Sequence, residues 1–267
     1  MKAMILAAGL GTRLRPLTDN RPKALVEVGG RTLLEITLAR LRAFGVHEVI
    51  INVHHFGDMV VDYLKKNRDF GMRVEISREE VLLDTGGGLK KAGFFFLDGL
   101  GEPFILHNVD VISTINLEKM VQFHRERKAL ATLAVQERET SRYLLFDQSG
   151  RLCGRRAGRE PGPDLPLRGG TLRLSSGQAG ESFVSTRAGV STQAAQALAF
   201  SGIHVISPRM LSMMTEEGAF SIIPFYLRLA AQGENVLAFR ADEYYWRDLG
   251  RPEHVTQAEL DLKNNAV

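Results

Sequence analysis

Four short polar clusters in the sequence contain residue types that bind phosphate groups. They are Gly9–Arg13, Asn52–His55, Asp84–Gly88 and Asn108–Asp110, and each follows an apolar segment. Glycines let the backbone approach a ligand closely with its N–H groups, and arginine clamps phosphate oxygens with two parallel hydrogen bonds. The first cluster in particular, an apolar run followed by glycines and cations, indicates a phosphate-binding loop.

The clusters lie where strands of an α/β sheet are expected to end. Apolar runs alternate with helical patterns, which predicts a mostly parallel open sheet with helices on both faces. The predicted strands are Lys2–Ala7, Glu48–Val53, Met72–Ser77, Pro103–His107 and Leu130–Val135. The predicted helices are Thr32–Phe44, Asp58–Lys66, Gly88–Leu97 and Leu117–Arg127. Ligands bind at the carboxyl ends of strands in such sheets, so we expect the four clusters to share one crevice.

The second half of the chain follows a different pattern. Strands are predicted over Arg142–Asp147, Leu198–Ile206, Val236–Arg240 and Tyr244–Arg247, and helices over Ser221–Ala231 and from Pro252 onwards. Between about Gly150 and Ala197 the sequence is rich in Gly, Arg, Ser, Pro and Gln without periodicity, which predicts a mobile insertion or a partly ordered β excursion. No hexapeptide repeat indicates a β-helix domain. We therefore expect a single domain with halves 1–136 and 137–267.

The composition excludes several classes of protein. The chain has 267 residues, 44% hydrophobic and 24% charged, with a formal net charge of +3. This balance gives no reason to expect nucleic-acid binding, and Cys153, the single cysteine, excludes an internal disulfide framework. No signal peptide pattern or membrane-length apolar run is found. We therefore expect a cytoplasmic protein that binds neither nucleic acid nor membrane.

The first loop does not fit the two common phosphate-binding motifs. Leu14 stands where the dinucleotide fingerprint requires its third glycine, and no Gly-Lys pair forms a P-loop. Instead, LAAGLGTRLRPLT followed by RPKALVEVGG resembles the signature of sugar-1-phosphate nucleotidyltransferases. The resemblance continues through DTGGGLKKA, NVD, FSGIHVISP and WRDLGRPE. It implies a Rossmann-like nucleotidyltransferase fold, with 1–136 as the nucleotide-binding half and 137–267 as the acceptor-binding half.

The resemblance also implies a reaction and its catalytic residues. A nucleoside triphosphate and a sugar 1-phosphate would give a nucleotide-sugar and pyrophosphate. The attacking phosphate oxygen is already anionic at neutral pH, because the second pKa of a phosphomonoester is about 6. No general base is required, and catalysis depends on neutralising charge. Arg13, Lys23 and Asp110 are the implied catalytic residues, and Asp110 and Asp248 are the implied ligands of Mg²⁺.

Further residues are assigned to binding by the same resemblance. The implied nucleotide-binding residues are Ala8, Gly9, Gly11, Thr12, Arg13, Thr85 and Gly87. The candidate sugar-phosphate-binding residues are Asn108, Arg142, Gly202 and Arg247. The Glu-Lys-Pro element that contacts the sugar phosphate in many relatives is absent, and Val109 replaces the glycine that often precedes the metal aspartate. His54 and His55 point to opposite faces of a strand, so we expect structural roles for them.

Two other functions are compatible with the residues. One is transfer of a nucleotide to a non-sugar phosphate such as phosphocholine, with CTP as donor, because only the acceptor pocket would change. The other is a catalytically inactive regulatory protein, although the presence of Arg13, Lys23, Asp110 and Asp248 argues against it. For the main interpretation we expect UTP or GTP as the donor and Mg²⁺ as the cofactor. A homodimer is one of the assemblies that we consider.

Overall fold

The structure is a computed structural model and describes residues 1–97, 101–157, 182–184 and 195–264. The strands are β1 (Lys2–Leu6), β2 (Glu27–Val28), β3 (Arg31–Thr32), β4 (Glu48–Val53), β5 (Arg73–Arg78), β6 (Phe104–Asn108), β7 (Val111–Ser113), β8 (Ala131–Gln136), β9 (Arg142–Phe146), β10 (Leu152–Ala157), β11 (Ser182–Val184), β12 (Gln196–Ile206), β13 (Val236–Arg240) and β14 (Trp246–Asp248). The α-helices are α1 (Leu33–Ala43), α2 (Gly57–Lys66), α3 (Asp84–Ala92), α4 (Leu117–Glu126), α5 (Ile222–Ala231) and α6 (Pro252–Lys263).

A ten-stranded mixed sheet forms the centre of the fold, in the order β11-β10-β9-β12-β6-β1-β4-β5. β1 pairs in parallel with β4 and β6, and β4 pairs in parallel with β5. β8 branches from this path, pairing antiparallel with β12 and parallel with β13. The predicted α/β class with a mostly parallel sheet is therefore confirmed, and β12 joins the parallel half to the strands of the second half.

Side chains that alternate along β1 reach two separate cores. Ala3 and Ile5 belong to one core, which α1 and α4 cover, while Met4 belongs to a second core, which α3 and α5 cover. All three side chains are fully buried. The prediction that this short apolar run is a strand buried on both faces is confirmed.

Capping residues fix two of the predicted helix starts. The N–H of Glu35 donates to Thr32 Oγ1 at 3.1 Å before α1, and the N–H of Lys119 donates to Asn116 Oδ1 at 2.9 Å before α4. Each side chain satisfies a first-turn N–H that has no partner inside its helix. The structure agrees with the sequence here because capping is a local interaction.

The predicted helix Gly88–Leu97 is wrong at both ends. α3 begins at Asp84 and ends at Ala92, after which a 3-10 helix covers Gly93–Phe96. The carbonyl oxygen of Phe220 accepts hydrogen bonds from the N–H groups of Gly86 and Gly87, at 2.9 and 3.2 Å. Three glycines have low helix propensity, and this contact from a distant segment compensates for it.

The strand predicted over Tyr244–Arg247 also shifts. β14 covers Trp246–Asp248 because it pairs antiparallel with β7, a strand that sequence analysis did not predict. Within the predicted mobile insertion, β10 pairs antiparallel with β9 and β11 pairs with β10. Part of this segment therefore forms a β excursion, which was the alternative to a mobile insertion. Residues 158–181 and 185–194 lie outside the described residues.

No helix among the described residues is long and apolar enough to cross a membrane.

Candidate active site

A cavity of about 610 Å³ opens at the carboxyl ends of β1, β4 and β6. We call it the glycine cavity. It is lined by Leu6, Ala7, Ala8, Gly9, Leu10, Gly11, Thr12, Arg13, Lys23, Asn52, Leu82, Asp84, Thr85, Asn108, Val109, Asp110, Ala219 and Gly250. All four polar clusters recognised in the sequence contribute to it, so the expected convergence at one sheet edge is what the structure shows.

The loop after β1 presents bare backbone to this cavity. At Gly9 an added Cβ would meet no heavy atom of the described chain within 4 Å, so the loop is open to a ligand there. Gly11 has φ 65°, and its Cβ would come within 3.0 Å of Thr18 Cγ2. The hydroxyl of Thr18 donates to the Gly11 carbonyl at 2.8 Å, which fixes the turn. Glycine is required at Gly11 for two reasons, the left-handed backbone and the close side chain.

Lys23 and Asp110 form an ion pair at the wall of the cavity. The ammonium of Lys23 donates to Asp110 Oδ2, and the side chains are only 10% and 19% exposed. Lys23 lies in the 3-10 helix Lys23–Leu25, and Asp110 follows β6 in the turn that leads to β7. A cation and a carboxylate that are far apart in sequence are thereby brought together beside the glycine loop.

Asn52 and Glu79 hold the start of the loop in place. The N–H of Ala7 donates to Asn52 Oδ1 at 2.7 Å, and Asn52 Nδ2 donates to Glu79 Oε1 at 2.7 Å. The other carboxylate oxygen of Glu79 accepts from the N–H of Leu83 at 2.9 Å. Sequence analysis did not identify Glu79 because its burial, with 5% exposure, depends on contacts between β4 and the segment after β5.

Two glycines assigned to ligand binding are packed closely against protein atoms. A Cβ on Gly87 would lie 2.5 Å from the carbonyl oxygen of Gly218, and Gly87 does not line the glycine cavity. A Cβ on Gly202, where φ is 74°, would lie 2.9 Å from Val111 and 3.0 Å from Asn108. Close packing accounts for glycine at both positions. Thr85 lines the glycine cavity, and Gly202 lines the second cavity described next.

A second cavity, of about 1110 Å³, adjoins the first. We call it the arginine cavity because seven arginines line it: Arg13, Arg138, Arg142, Arg155, Arg156, Arg247 and Arg251. The sugar-phosphate candidates Asn108, Arg142, Gly202 and Arg247 all line it, together with Asp248. The two cavities share three residues, Arg13, Asn108 and Gly250, which we call the junction.

Arg247 is already engaged by protein groups. Its Nη2 lies 2.8 Å from Asp261 Oδ2, and its Nε donates to the hydroxyl of Tyr245 at 3.0 Å. This leaves less of the guanidinium for a ligand. Arg142 is exposed and forms no ion pair with any described residue, so it is the freer of these two candidates.

Asp110 and Asp248 lie on neighbouring backbones but line different cavities. The N–H of Leu249 donates to the Asp110 carbonyl at 2.8 Å, and Asp248 is paired with Val111 in the β7–β14 ladder. Asp110 lines the glycine cavity, and Asp248 lines the arginine cavity. No group of three or more His, Cys, Asp and Glu side chains that could hold a metal is found in the described part of the chain.

Val109, which precedes Asp110, lines the glycine cavity and is also part of the core. Val109 is 4% exposed and packs in the core that contains Ile5 and Ile105. Its N–H donates to the Leu6 carbonyl at 3.1 Å, so the backbone here continues the contact between β6 and β1.

Arg138 is a residue of the arginine cavity that sequence analysis missed. Its Cζ lies 3.6 Å from the centre of the Trp246 ring, and its Nη2 donates to the Phe200 carbonyl at 2.7 Å. Burial lowers the pKa of its guanidinium to about 10, although the charge of Asp248 acts in the opposite direction. It remains charged at neutral pH. The stacking partner comes from β14, more than 100 residues later in the chain, so no local pattern marks Arg138.

Three buried histidines are held neutral at physiological pH. Burial lowers the pKa of His107 and of His204 to about 3, and that of His124 to about 4. His107 belongs to β6, where its Nδ1 lies 2.8 Å from the carbonyl oxygen of Asn108. These residues are structural, and His54, whose Nδ1 lies 2.8 Å from the Glu79 carbonyl oxygen, has protein contacts as well.

The parallel sheet, the glycine loop and the Lys23–Asp110 pair at its carboxyl edge define a Rossmann-like nucleotidyltransferase. Comparison of the sequence with known families agrees, because residues 2–150 match the family described as Nucleotidyl transferase. The chain belongs to this family, in the branch of sugar-1-phosphate nucleotidyltransferases. The protein is therefore an enzyme that transfers nucleotidyl groups to sugar 1-phosphates.

Relatives of known name support this membership. The chain is 35% identical to N-acetylmuramate alpha-1-phosphate uridylyltransferase of Caulobacter vibrioides over 97% of its own length and 96% of that protein. It is 38% identical to mannose-1-phosphate guanylyltransferase 1 of Arabidopsis thaliana, but covers only 44% of that longer protein.

Solved structures of similar fold cover nearly the whole chain. HddC from Yersinia pseudotuberculosis, in a complex with GMP-PN, superposes with a TM-score of 0.70 at 20% identity over 98% of this chain and 99% of HddC. UDP-glucose pyrophosphorylase in complex with UDP-glucose gives a TM-score of 0.70 at 16% identity, covering 99% and 98%. At these identities the likeness establishes the fold.

Proposed function

We propose that the protein transfers a uridylyl group from UTP to a sugar 1-phosphate in a Mg²⁺-dependent reaction that releases pyrophosphate. The observation that carries this proposal is that two cavities meet at Arg13, with the Lys23–Asp110 pair beside the meeting point. UTP is favoured as donor because the uridylyltransferase of Caulobacter vibrioides matches over 97% of the chain. The guanylyltransferase of Arabidopsis thaliana matches over only 57%.

The glycine cavity would hold the triphosphate. No hydrogen bond within the described chain uses the N–H groups of Gly9, Leu10 and Gly11, so they are available to phosphate oxygens. Arg13 lines both cavities and would contact donor and acceptor phosphates together. Lys23 would place its positive charge next to the α-phosphate, where negative charge develops in the transition state.

The arginine cavity would hold the sugar 1-phosphate, with its phosphate at the junction. An oxygen of that phosphate attacks the α-phosphorus, a new P–O bond forms, and the bond to the leaving pyrophosphate breaks. Positioning and charge neutralisation are then the main contributions of the protein. No proton has to be removed from the nucleophile, so the reaction requires no general base.

Asp110 and Asp248 fit a role as the protein ligands of Mg²⁺. Both are hard oxygen donors, and the β7–β14 ladder holds their backbones side by side at the junction. Mg²⁺ typically takes one or two carboxylates together with substrate phosphates. When bound, the ion would offset the negative charge of the triphosphate. Asp110 Oδ2 is paired with Lys23, and its other oxygen is not.

The test is a pyrophosphate-release assay that crosses the four nucleoside triphosphates with a panel of sugar 1-phosphates, each with Mg²⁺ or with EDTA. We expect release with UTP and Mg²⁺ and none with EDTA. Asp110→Asn and Asp248→Asn should each lower kcat/KM at least about 100-fold and shift the Mg²⁺ titration to higher concentration, because each removes one ligand charge. Phosphocholine with CTP serves as the non-sugar comparison.

Two outcomes would contradict the proposal. Release of pyrophosphate only with phosphocholine would assign a different acceptor class. Wild-type activity and an unchanged Mg²⁺ titration in either aspartate variant would show that this carboxylate is only a turn residue.

A further inference from the structure

An arginine of α1 contacts both strands that flank the turn carrying Asp110. Arg40 lies in the last turn of α1, and burial lowers the pKa of its guanidinium to about 10, so it stays charged at neutral pH. It forms no ion pair with any carboxylate of the described chain. Removing a guanidinium from water is costly unless its hydrogen bonds are well placed. The groups that Arg40 contacts therefore require an explanation.

The two ends of the Asp110 segment are bridged by this one side chain. Its Nη1 donates to Ser113 Oγ at 2.7 Å and lies 3.2 Å from His107 Nε2, and its Nη2 donates to the carbonyl oxygen of Ile115. His107 belongs to β6, which ends two residues before Asp110. Ser113 is the last residue of β7, which begins one residue after Asp110. The planar fork of Arg40 thus connects the strand before the turn to the strand after it.

His107 extends this contact to the backbone of the turn. A guanidinium can only donate, so His107 Nε2 accepts from Arg40 and the ring proton is on Nδ1. Nδ1 donates that proton to the carbonyl oxygen of Asn108 at 2.8 Å. Burial and the charge of Arg40 lower the pKa of His107 to about 3, so the ring stays neutral and keeps this arrangement. The peptide group between Asn108 and Val109, just before Asp110, is thereby held in one orientation.

These contacts lie outside the cavities. Neither Arg40 nor His107 lines the glycine cavity or the arginine cavity. Building on the proposed function, in which Asp110 binds Mg²⁺, we infer that Arg40 is a positioning residue for this metal ligand. It acts through His107 and Ser113 and touches neither substrate nor metal. Groups that orient a metal ligand from behind commonly change metal affinity about 10–100-fold when they are removed.

A different role for Arg40 would give a different sign of effect. If its positive charge acted on the site through space, removing it would strengthen the binding of a cation, because like charges repel. If the fork positions Asp110, removing it should weaken that binding. A lysine at this position separates the two further, because it keeps the charge and loses the fork.

The experiment measures Mn²⁺ binding to the protein alone, from the electron paramagnetic resonance signal of the free ion. Mn²⁺ binds the same oxygen ligands as Mg²⁺. Arg40→Met should raise the Kd for Mn²⁺ about tenfold, and Arg40→Lys should resemble it. The concentration of Mg²⁺ that half-saturates pyrophosphate release should rise in parallel. Arg42→Gln is the matched control, because Arg42 lies in the same turn of α1 but is exposed, with one hydrogen bond to the Phe70 carbonyl at 2.9 Å.

Two further measurements test the route through His107. Nitrogen-15 NMR of the imidazole should show the proton on Nδ1 in the wild type, and loss of this single tautomer in Arg40→Met. Arg40→Met and His107→Leu combined should weaken Mn²⁺ binding no more than the stronger of the two single changes, because both interrupt one chain of contacts. If thermal unfolding shows that Arg40→Met does not fold, Ser113→Ala takes its place and should raise the Kd about threefold.

The outcomes separate this inference from the proposed function. Unchanged or tighter Mn²⁺ binding in Arg40→Met, or wild-type affinity in Arg40→Lys, would overturn the positioning role. Asp110→Asn is titrated alongside. If that variant binds Mn²⁺ as the wild type does, the assignment of Asp110 in the proposed function is wrong. If it loses affinity while the Arg40 variants do not, only the present inference fails.

Discussion

Lys23 and Asp110 neutralise each other at the wall of the glycine cavity, where both are largely removed from water. A buried ion pair contributes little net stability, because desolvation of the two charges offsets most of their attraction. The ion pair instead fixes the positions of the two charged groups beside the cavity. On the proposed function, each charge would be held in place for a substrate that carries stronger charges, and both side chains would exchange partners when that substrate binds.

The first prediction concerns Lys23. Lys23→Ala should lower kcat about 100-fold or more, because the lost cation serves the transition state. The melting temperature should change by less than about 5 °C, since Asp110 at the cavity wall can be hydrated. Steady-state kinetics at saturating Mg²⁺ and thermal unfolding give the two numbers. Lys65→Ala, on the exposed side of α2, is the control and should be neutral in both. Near-normal kcat for Lys23→Ala would remove it from the catalytic residues.

At the scale of elements, α3 shows how a site can depend on packing. Its three glycines lie within the helix and not in a loop. They let the helix pack closely against Phe220 on one side and against the Asn52–Glu79 hydrogen bond on another. A Cβ on Gly88 would lie 2.8 Å from both Asn52 Nδ2 and Glu79 Oε1. α3 therefore supports, through Asn52, the first residue of the phosphate loop.

The second prediction follows from this contact. Gly88→Ala should lower the free energy of unfolding by about 1–3 kcal/mol, because overpacking outweighs the gain in helix propensity. It should also raise KM for the nucleoside triphosphate, since Ala7 loses its fixed partner. Gly93→Ala is the matched control: its Cβ would make ordinary contact with Leu211 at 3.7 Å. That variant should keep or slightly raise stability. A stable Gly88→Ala enzyme with unchanged KM would show that the network does not position the loop.

The same elements mark what the sequence can predict. β4 was predicted with its observed ends, because EVIINV is a β-branched run bounded by turn residues. The polar clusters were placed correctly at one edge, since the carboxyl ends of parallel strands coincide. Glu79, Arg138 and the start of α3 were missed because burial, ring stacking and a cap from Phe220 arise between segments distant in sequence. Local patterns do not contain such contacts.

At the scale of the whole molecule, buried histidines couple folding to pH. In the folded state the pKa values of His107 and His204 are about 3 and that of His124 is about 4. In the unfolded chain each is near 6.5. Below pH 6.5 the unfolded chain therefore binds protons that the folded chain excludes, so stability present above this pH is lost as the pH falls.

The third prediction gives this loss a size. Between pH 7.5 and 5.5 each histidine should lower the free energy of unfolding by about 1.4 kcal/mol, or about 4 kcal/mol together. Urea unfolding at the two pH values measures it. His124→Gln should reduce the difference by about a third, whatever its effect on absolute stability. The carboxylates with lowered pKa, such as Glu234, titrate below this window. Equal stability at both pH values would contradict the burial of these rings as neutral groups.

The junction of only three residues, Arg13, Asn108 and Gly250, has a consequence for how this enzyme can be altered. On the proposed function, every other residue that would contact the donor differs from every other residue that would contact the acceptor. We call the part of the arginine cavity formed by β9, β10 and β14 the acceptor wall. Substitutions in this wall should therefore leave recognition of the base unchanged. A mutant library confined to that wall should yield enzymes that couple new sugars to the same nucleotide, so the architecture is modular for both natural diversification and directed evolution.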